Sequence, residues 1–266
     1  MENKIPNIYK LEIVEVVRES LSLYKNNYKL LLKISLLSFL ISVIRTVLLY
    51  ARTIFVPSTS YFITLAIALP IGLLLLYFEM KLKVTMYISI SNCYSGKFIT
   101  FREAFVRAKE RVYSFIGISI VFGLIILPIA LIGSGIFLSI EARLLKYLIL
   151  LIFAIPLIYL GIKYQFAPLA TVMEEGNENY FTLSERLVQN NFWRIALLMI
   201  PMVAIGNLPN LFTSNLNPWV KSLSLLYQNT ISLSSDLVYV FISPAIACII
   251  VVLYLTLRKK AAYKQV

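Results

Sequence analysis

The chain contains no histidine. That absence removes Ser-His and Cys-His nucleophile pairs, histidine metal sites and histidine proton relays together. Cysteine is scarce: Cys93 and Cys248 have no metal-type spacing, and both are expected on or near the inner side of a membrane. A disulfide is not expected, and Cys248 reads as a small apolar packing residue. Acidic residues are few, 13 Asp and Glu against 25 Lys and Arg in 266 residues, for a formal charge of +12. The start, Met1-Glu2-Asn3-Lys4-Ile5-Pro6, has no apolar stretch of the kind a cleaved signal peptide needs. Also missing are HExxH, a Ser/Lys dyad at helical spacing and paired carboxylates deep in an apolar run. No catalytic residue, metal site or cofactor is therefore assigned, and the chain reads as a non-enzyme.

What is abundant is apolar sequence. The chain is 59% hydrophobic and its mean hydropathy is +0.82. Several runs near or above about 18 apolar residues can each cross about 30 Å of hydrocarbon. Six spans are expected, over residues 30–50, 61–78, 112–138, 144–164, 195–212 and 237–257. The cations lie beside these runs, which points to topology and anionic lipid and away from nucleic acid. The N-terminal segment, two inner connections and the C-terminal tail carry 20 of the 25 Lys and Arg. By the positive-inside rule both termini are then cytoplasmic. Frequent Ile, Lys and Asn suggest a prokaryote, so the expected location is its plasma membrane, with multiple passes.

Between the spans lie amphipathic stretches. In residues 8–27, Ile13, Val16, Val17, Leu21 and Tyr24 recur at helical spacing, as in a helix lying in the interface. Two capping boxes are expected, Thr100-Phe101-Arg102-Glu103 and Thr182-Leu183-Ser184-Glu185. The first opens a helix with Ala104, Ala108 and Val112 on its apolar stripe and Arg102, Arg107, Lys109 and Arg111 opposite. Its aromatic neighbours Tyr94, Phe98, Phe101, Phe105 and Tyr113 are expected to sink into lipid beside the cations. The second opens a helix with Leu183, Leu187 and Val188 on one face and Arg186 on the other, leading to Trp193 and Arg194 at the headgroup layer. These seven residues, Arg102, Arg107, Lys109, Arg111, Arg186, Trp193 and Arg194, form the expected lipid or partner surface, with each cation contributing about 1 kcal/mol near an anionic leaflet.

A threefold repeat is expected within a single membrane domain over residues 1–266, with units near 8–90, 91–170 and 171–260. Pro70, Pro156 and Pro244 are 86 and 88 residues apart, and the two boxes start 82 apart. Lys25-Asn26-Asn27-Tyr28 and Gln189-Asn190-Asn191-Phe192 match at 164, twice that period. Each unit is one interfacial helix plus one transmembrane hairpin, which cannot bury its packing face alone. The fold class is all-α, polytopic.

An ionisable group inside a span is a functional candidate by default. Arg45, Glu79, Lys163 and Gln165 make the candidate intramembrane polar site, with Asp236 and the break from Asn207 to Asn210 beside them. Glu79 and Gln165 each lie nine residues after a repeat proline, at one expected depth. Two readings stand: an inward-facing polar site, or interfacial salt bridges where helices leave the bilayer. Arg45, expected near the outer end of its span, is either snorkelling or bundle-facing. Pro201 to Pro209 is either a broken substrate-binding helix or a simple helix end.

Ala167-Pro168-Leu169-Ala170, the turn Glu174-Glu175-Gly176, Leu183-Ser184-Glu185-Arg186-Leu187-Val188 and Asn191-Phe192-Trp193-Arg194 carry a family resemblance. The chain resembles the six-span membrane domain fused to some bacterial glycerophosphodiester phosphodiesterases, and its stand-alone, uncharacterised membrane-protein relatives. The resemblance implies that fold without the phosphodiesterase activity, which belongs to a separate soluble barrel that this chain lacks. The resulting expectation is a non-enzymatic integral membrane protein, an accessory or scaffold factor engaging anionic inner-leaflet lipid and a membrane-protein partner. The alternative is a small transporter or exporter of an amphiphilic, lipid-like substrate.

Overall fold

Helix is the only regular structure among the described residues, which in the computed structural model are 12–55, 61–139, 142–176, 179–215 and 225–263. Residues 56–60 with Pro57, Asn177 and Glu178, and residues 216–224 with Trp219, Val220 and Leu223 lie outside them. In chain order the helices are α1 (Ile13–Phe55), α2 (Tyr61–Tyr94), α3 (Phe101–Ser139), α4 (Arg143–Tyr164), α5 (Ala167–Met173), α6 (Tyr180–Gln189), α7 (Phe192–Asn215) and α8 (Leu225–Tyr263). Four helical stretches among the described residues are long and apolar enough to cross a membrane: Ile13–Leu48, Phe101–Phe137, Tyr147–Met173 and Asp236–Ala262. Counting α6 and the start of α7 as one bent span makes five. Their length and apolarity mark the chain as a multi-pass membrane protein.

The chain forms two compact units, one of Val16–Val112 with Pro201–Val252, the other of Met1–Glu15, Tyr113–Ile200 and Leu253–Val266. In the first, the interfacial segment and the first span are one helix, α1, kinked at Asn27, whose φ of −120° and ψ of 17° leave the helical region. The Asn27 amide donates to the Leu23 carbonyl at 3.0 Å, which satisfies a group the kink would otherwise expose. Helix α2 has two environments. Leu69, Leu73, Leu74 and Phe78 are exposed, whereas Val84, Thr85, Ser89 and Ile90 are fully buried. The buried hydroxyls bond back along the helix, Thr85 to the Lys81 carbonyl and Ser89 to the Thr85 carbonyl, so neither is left unsatisfied. The helix ends in a Schellman motif: Gly96, at φ +71°, donates to the Cys93 carbonyl and Lys97 to that of Asn92.

Helix α3 then starts on the expected capping box. The Thr100 N–H donates to Glu103 Oε2 at 3.0 Å, and the Glu103 N–H donates to Thr100 Oγ1 at 3.3 Å. Ala104, Ala108 and Val112 are fully buried, as their spacing requires.

In the second unit, α4 stops at Tyr164 and the chain re-enters helix at Ala167, with Pro168 in the first turn. Pro168 therefore starts a short helix rather than ending a long one, since its missing N–H costs nothing there. The fully buried Ser184 of α6 ties the break together: its hydroxyl donates to the Lys163 carbonyl at 2.8 Å and accepts from the Phe166 N–H at 3.3 Å. These are backbone groups that the end of a helix leaves without partners.

The second capping box is not formed. Helix α6 is capped by Asn179, whose side chain accepts from the Phe181 and Thr182 amides. A short Asn acceptor placed earlier starts the helix at Tyr180, and Thr182 falls inside it. Leu183, Leu187 and Val188 are buried, as expected of that face. Helix α7 runs unbroken from Phe192 to Asn215, through Pro201 and Pro209, so the broken-helix reading does not hold. Of the glycines in α3, Gly133 is the one at a close approach: a Cβ there would meet Phe153 Cγ at 2.8 Å, while Gly117, Gly123 and Gly135 have open space.

Candidate functional site

Arg45 and Glu79 meet. Arg45 Nη1 lies 3.8 Å from Glu79 Oε2. Arg45 is ~15 Å along α1 from Phe55 and Glu79 ~27 Å along α2 from Tyr61, at ~1.5 Å per residue. Side chains lean toward the start of their own helix, so in an antiparallel hairpin these two lean toward each other and close the gap. Arg45, expected near the outer end of its span, thus meets Glu79 of the next helix at one level. Both side chains are about half exposed, 56% and 44%, so the pair sits on the outward surface rather than in a buried polar site. One turn away on α1, Ser42 donates to Asp236 Oδ2. Asp236 lies within α8.

In the other unit, Lys163 Nζ is 2.9 Å from Glu185 Oε1, which ties the end of α4 to α6. Gln165, two residues on, has a buried Nε2 with no hydrogen-bond partner.

Sequence reasoning missed a polar cluster centred on Glu174. Its carboxylate accepts from the Tyr254 hydroxyl at 2.7 Å and from Arg258 Nε at 2.9 Å and Nη2 at 3.1 Å. Tyr254 is fully buried and its ring lies 5.8 Å from that of Phe166, also fully buried. The bidentate guanidinium geometry neutralises the carboxylate while the tyrosine uses a further lone pair. The one sequence signal was Tyr254 and Arg258 at i,i+4 on one helix face.

Beside Lys163 lies a cleft of about 760 Å³ between α4, α6 and α7. Helices α6 and α7 meet at 103°, and the corner at Asn190 and Asn191 forms its polar end together with Lys163, Glu185 and Arg194. Ile155, Ile158 and Ile162, on one face of α4, form its apolar wall with Ile200 of α7. Tyr159, Phe192 and Trp193 sit between the two ends, with ring centroids 5.3 Å and 5.4 Å apart in sequence along the row. Trp193 is 78% exposed and Ile155 61%, so the cleft opens on the outside of the unit.

Of the cationic surface, Arg102, Arg107, Lys109 and Arg186 are exposed, and Arg111 and Arg194 are half-buried. The aromatic neighbours divide. Phe98 and Tyr113 are exposed, but Phe101 and Phe105 stack at 5.5 Å and hold Lys33 and Lys81, whose amines lie 5.2 Å and 3.7 Å from their ring centroids. These two rings therefore face cations of the protein instead of lipid. Burial pulls the Lys81 amine below the ordinary lysine range, and the charge of Lys109 adds to this.

Among the described residues, no group of three or more His, Cys, Asp or Glu is placed to hold a metal ion. Comparison with family models, curated proteins and solved structures returned no match.

Proposed function

We propose that the protein is a non-enzymatic integral membrane protein of a prokaryotic plasma membrane, an accessory or scaffold factor that engages anionic inner-leaflet lipid. The observation that carries this is the start of α3, where Ala104, Ala108 and Val112 are fully buried while Arg102, Arg107 and Lys109 point outward. A helix held to the protein by small residues and exposing cations is suited to an anionic surface, or to an acidic partner resting on it. The reading includes six spans, both termini in the cytoplasm and three repeats of interfacial helix plus hairpin. Supporting the repeat, the two matching Asn-Asn pairs both fall at backbone breaks, at Asn27 and at Asn190–Asn191. The resemblance to the phosphodiesterase-associated membrane domain belongs to this reading.

The test is lipid enrichment around protein extracted from bilayers of mixed phosphatidylglycerol and phosphatidylcholine. Wild type enriches the anionic lipid, and Arg102→Gln/Arg107→Gln/Lys109→Gln reduces that enrichment on the order of a hundredfold, at about 1 kcal/mol per cation. Unchanged enrichment overturns the reading. A second reading, export of an amphiphile, is favoured by the polar cluster of Ser42, Arg45, Glu79 and Asp236. It takes over if Glu79→Gln stops flux of a labelled amphiphile from liposomes while lipid enrichment stays intact.

A further inference from the structure

We infer that the cleft between α4, α6 and α7 holds one phospholipid molecule, with its phosphodiester at the Lys163–Arg194 end and an acyl chain along the isoleucine wall. This rests on the reading that the protein engages inner-leaflet phospholipid, and it adds a defined one-to-one site to a general surface attraction.

The cleft separates polarity along its length, as an amphiphile does. At one end are two cations, Lys163 and Arg194, and one carboxylate, Glu185, already 2.9 Å from Lys163. Over the lining residues the formal charges of Lys163, Arg194 and Glu185 leave an excess of positive sign, the sign that attracts a phosphodiester. Asn190 and Asn191 at the helix corner add uncharged donors for ester and phosphate oxygens. At the other end, Ile155, Ile158 and Ile200 offer no polar atom beyond the backbone and favour a hydrocarbon chain.

Size and access agree with this occupant. About 760 Å³ falls within the range of small-molecule sites, about 300–1,000 Å³. Ile155, Ile158 and Ile200 are each roughly half exposed or more, so a chain lying on them stays continuous with surrounding lipid. Trp193 and Tyr159, aromatics suited to the boundary between headgroup and hydrocarbon, sit where the glycerol of such a molecule would lie. A water-soluble anion would use only the cationic end and leave the isoleucine wall uncovered.

The experiment is native mass spectrometry of the full chain, purified in detergent and titrated with phosphatidylglycerol. Wild type should retain one phosphatidylglycerol after washing that removes all others. Ile158→Trp, which fills the cleft from an exposed wall position, should weaken that retention at least tenfold. Arg194→Gln should do so by removing a charge, without filling the cleft. Both variants should remain monodisperse and helical by circular dichroism, and Arg102→Gln/Arg107→Gln/Lys109→Gln should keep the retained lipid. If wild type retains no lipid, or if Ile158→Trp and Arg194→Gln retain it as wild type does, the inference is overturned. A stoichiometric protein in place of lipid overturns it as well. Loss of bulk enrichment in the α3 variant with the single lipid still bound leaves the cleft standing, so the two readings fail separately.

Discussion

Glu174 shows what one residue can do at the end of a span. It follows α5 in an acidic turn that reads, residue by residue, as solvent-facing, yet its carboxylate gathers Tyr254 and Arg258 from α8. Tyr254 has no exposed surface, so its hydroxyl depends on an acceptor inside the protein. Glu174→Ala should therefore destabilise the protein by about 1–3 kcal/mol, the cost of leaving a buried donor unsatisfied. Tyr254→Phe should cost less, because Arg258 still pairs with Glu174. The double variant should cost less than the sum of the two, since with both changed no tyrosine hydroxyl is left to lose its acceptor. Reversible unfolding in detergent measures all three, and strictly additive costs would show that the hydroxyl has another acceptor.

At the scale of the element, the start of α3 is set by local chemistry. The Thr100 N–H, and after it the Thr100 side chain, hold the Glu103 carboxyl below its ordinary value of 4.5. A carboxylate with a depressed folded-state pKa contributes stability that is complete above 4.5 and lost as pH falls through the depressed value. Amide-exchange protection in the first turn of α3, corrected for intrinsic rates, should fall in that acidic window. It should not fall there in Glu103→Gln, which keeps an acceptor oxygen without a titrating proton. A pH-independent first turn in wild type would mean that Glu103 is not the cap.

This box was legible because both partners lie within four residues, and backbone geometry brings them together wherever a helix starts. The same pattern at Thr182 misled because Asn179, three residues earlier, was the better cap and freed Glu185 for Lys163. Periodicity also found the buried faces of α3 and α6, since a helix face repeats locally. It could not find Glu174 with Arg258, or Ser42 with Asp236, because partners 84 and 194 residues apart leave no local trace. Nor could it foresee the cleft, which depends on the 103° bend between α6 and α7.

At the scale of the molecule, the surface itself argues for lipid. Leu124, Leu127, Leu131 and Ile132 of α3, and Leu148, Leu151 and Ile152 of α4, are about half exposed or more. Helices that are apolar all round and uncovered by protein would aggregate in water, and hydrocarbon satisfies them without further packing. If α3 crosses that hydrocarbon between the Schellman turn and Ser139, those two positions must lie on opposite sides of the membrane. Cys93, half-buried at the end of α2, and a Ser139→Cys variant at the exposed end of α3 report on the two sides. A membrane-impermeant maleimide should label Cys93 only from the cytoplasmic face and the introduced cysteine only from the outside. Cys248, with no exposed surface, should react only after unfolding and serves as the internal control. Labelling of both positions from one face would remove α3 as a span and break the six-span reading. Labelling of Cys93 from the outside alone would invert the molecule and turn the cations of α3 away from the anionic leaflet they are proposed to meet.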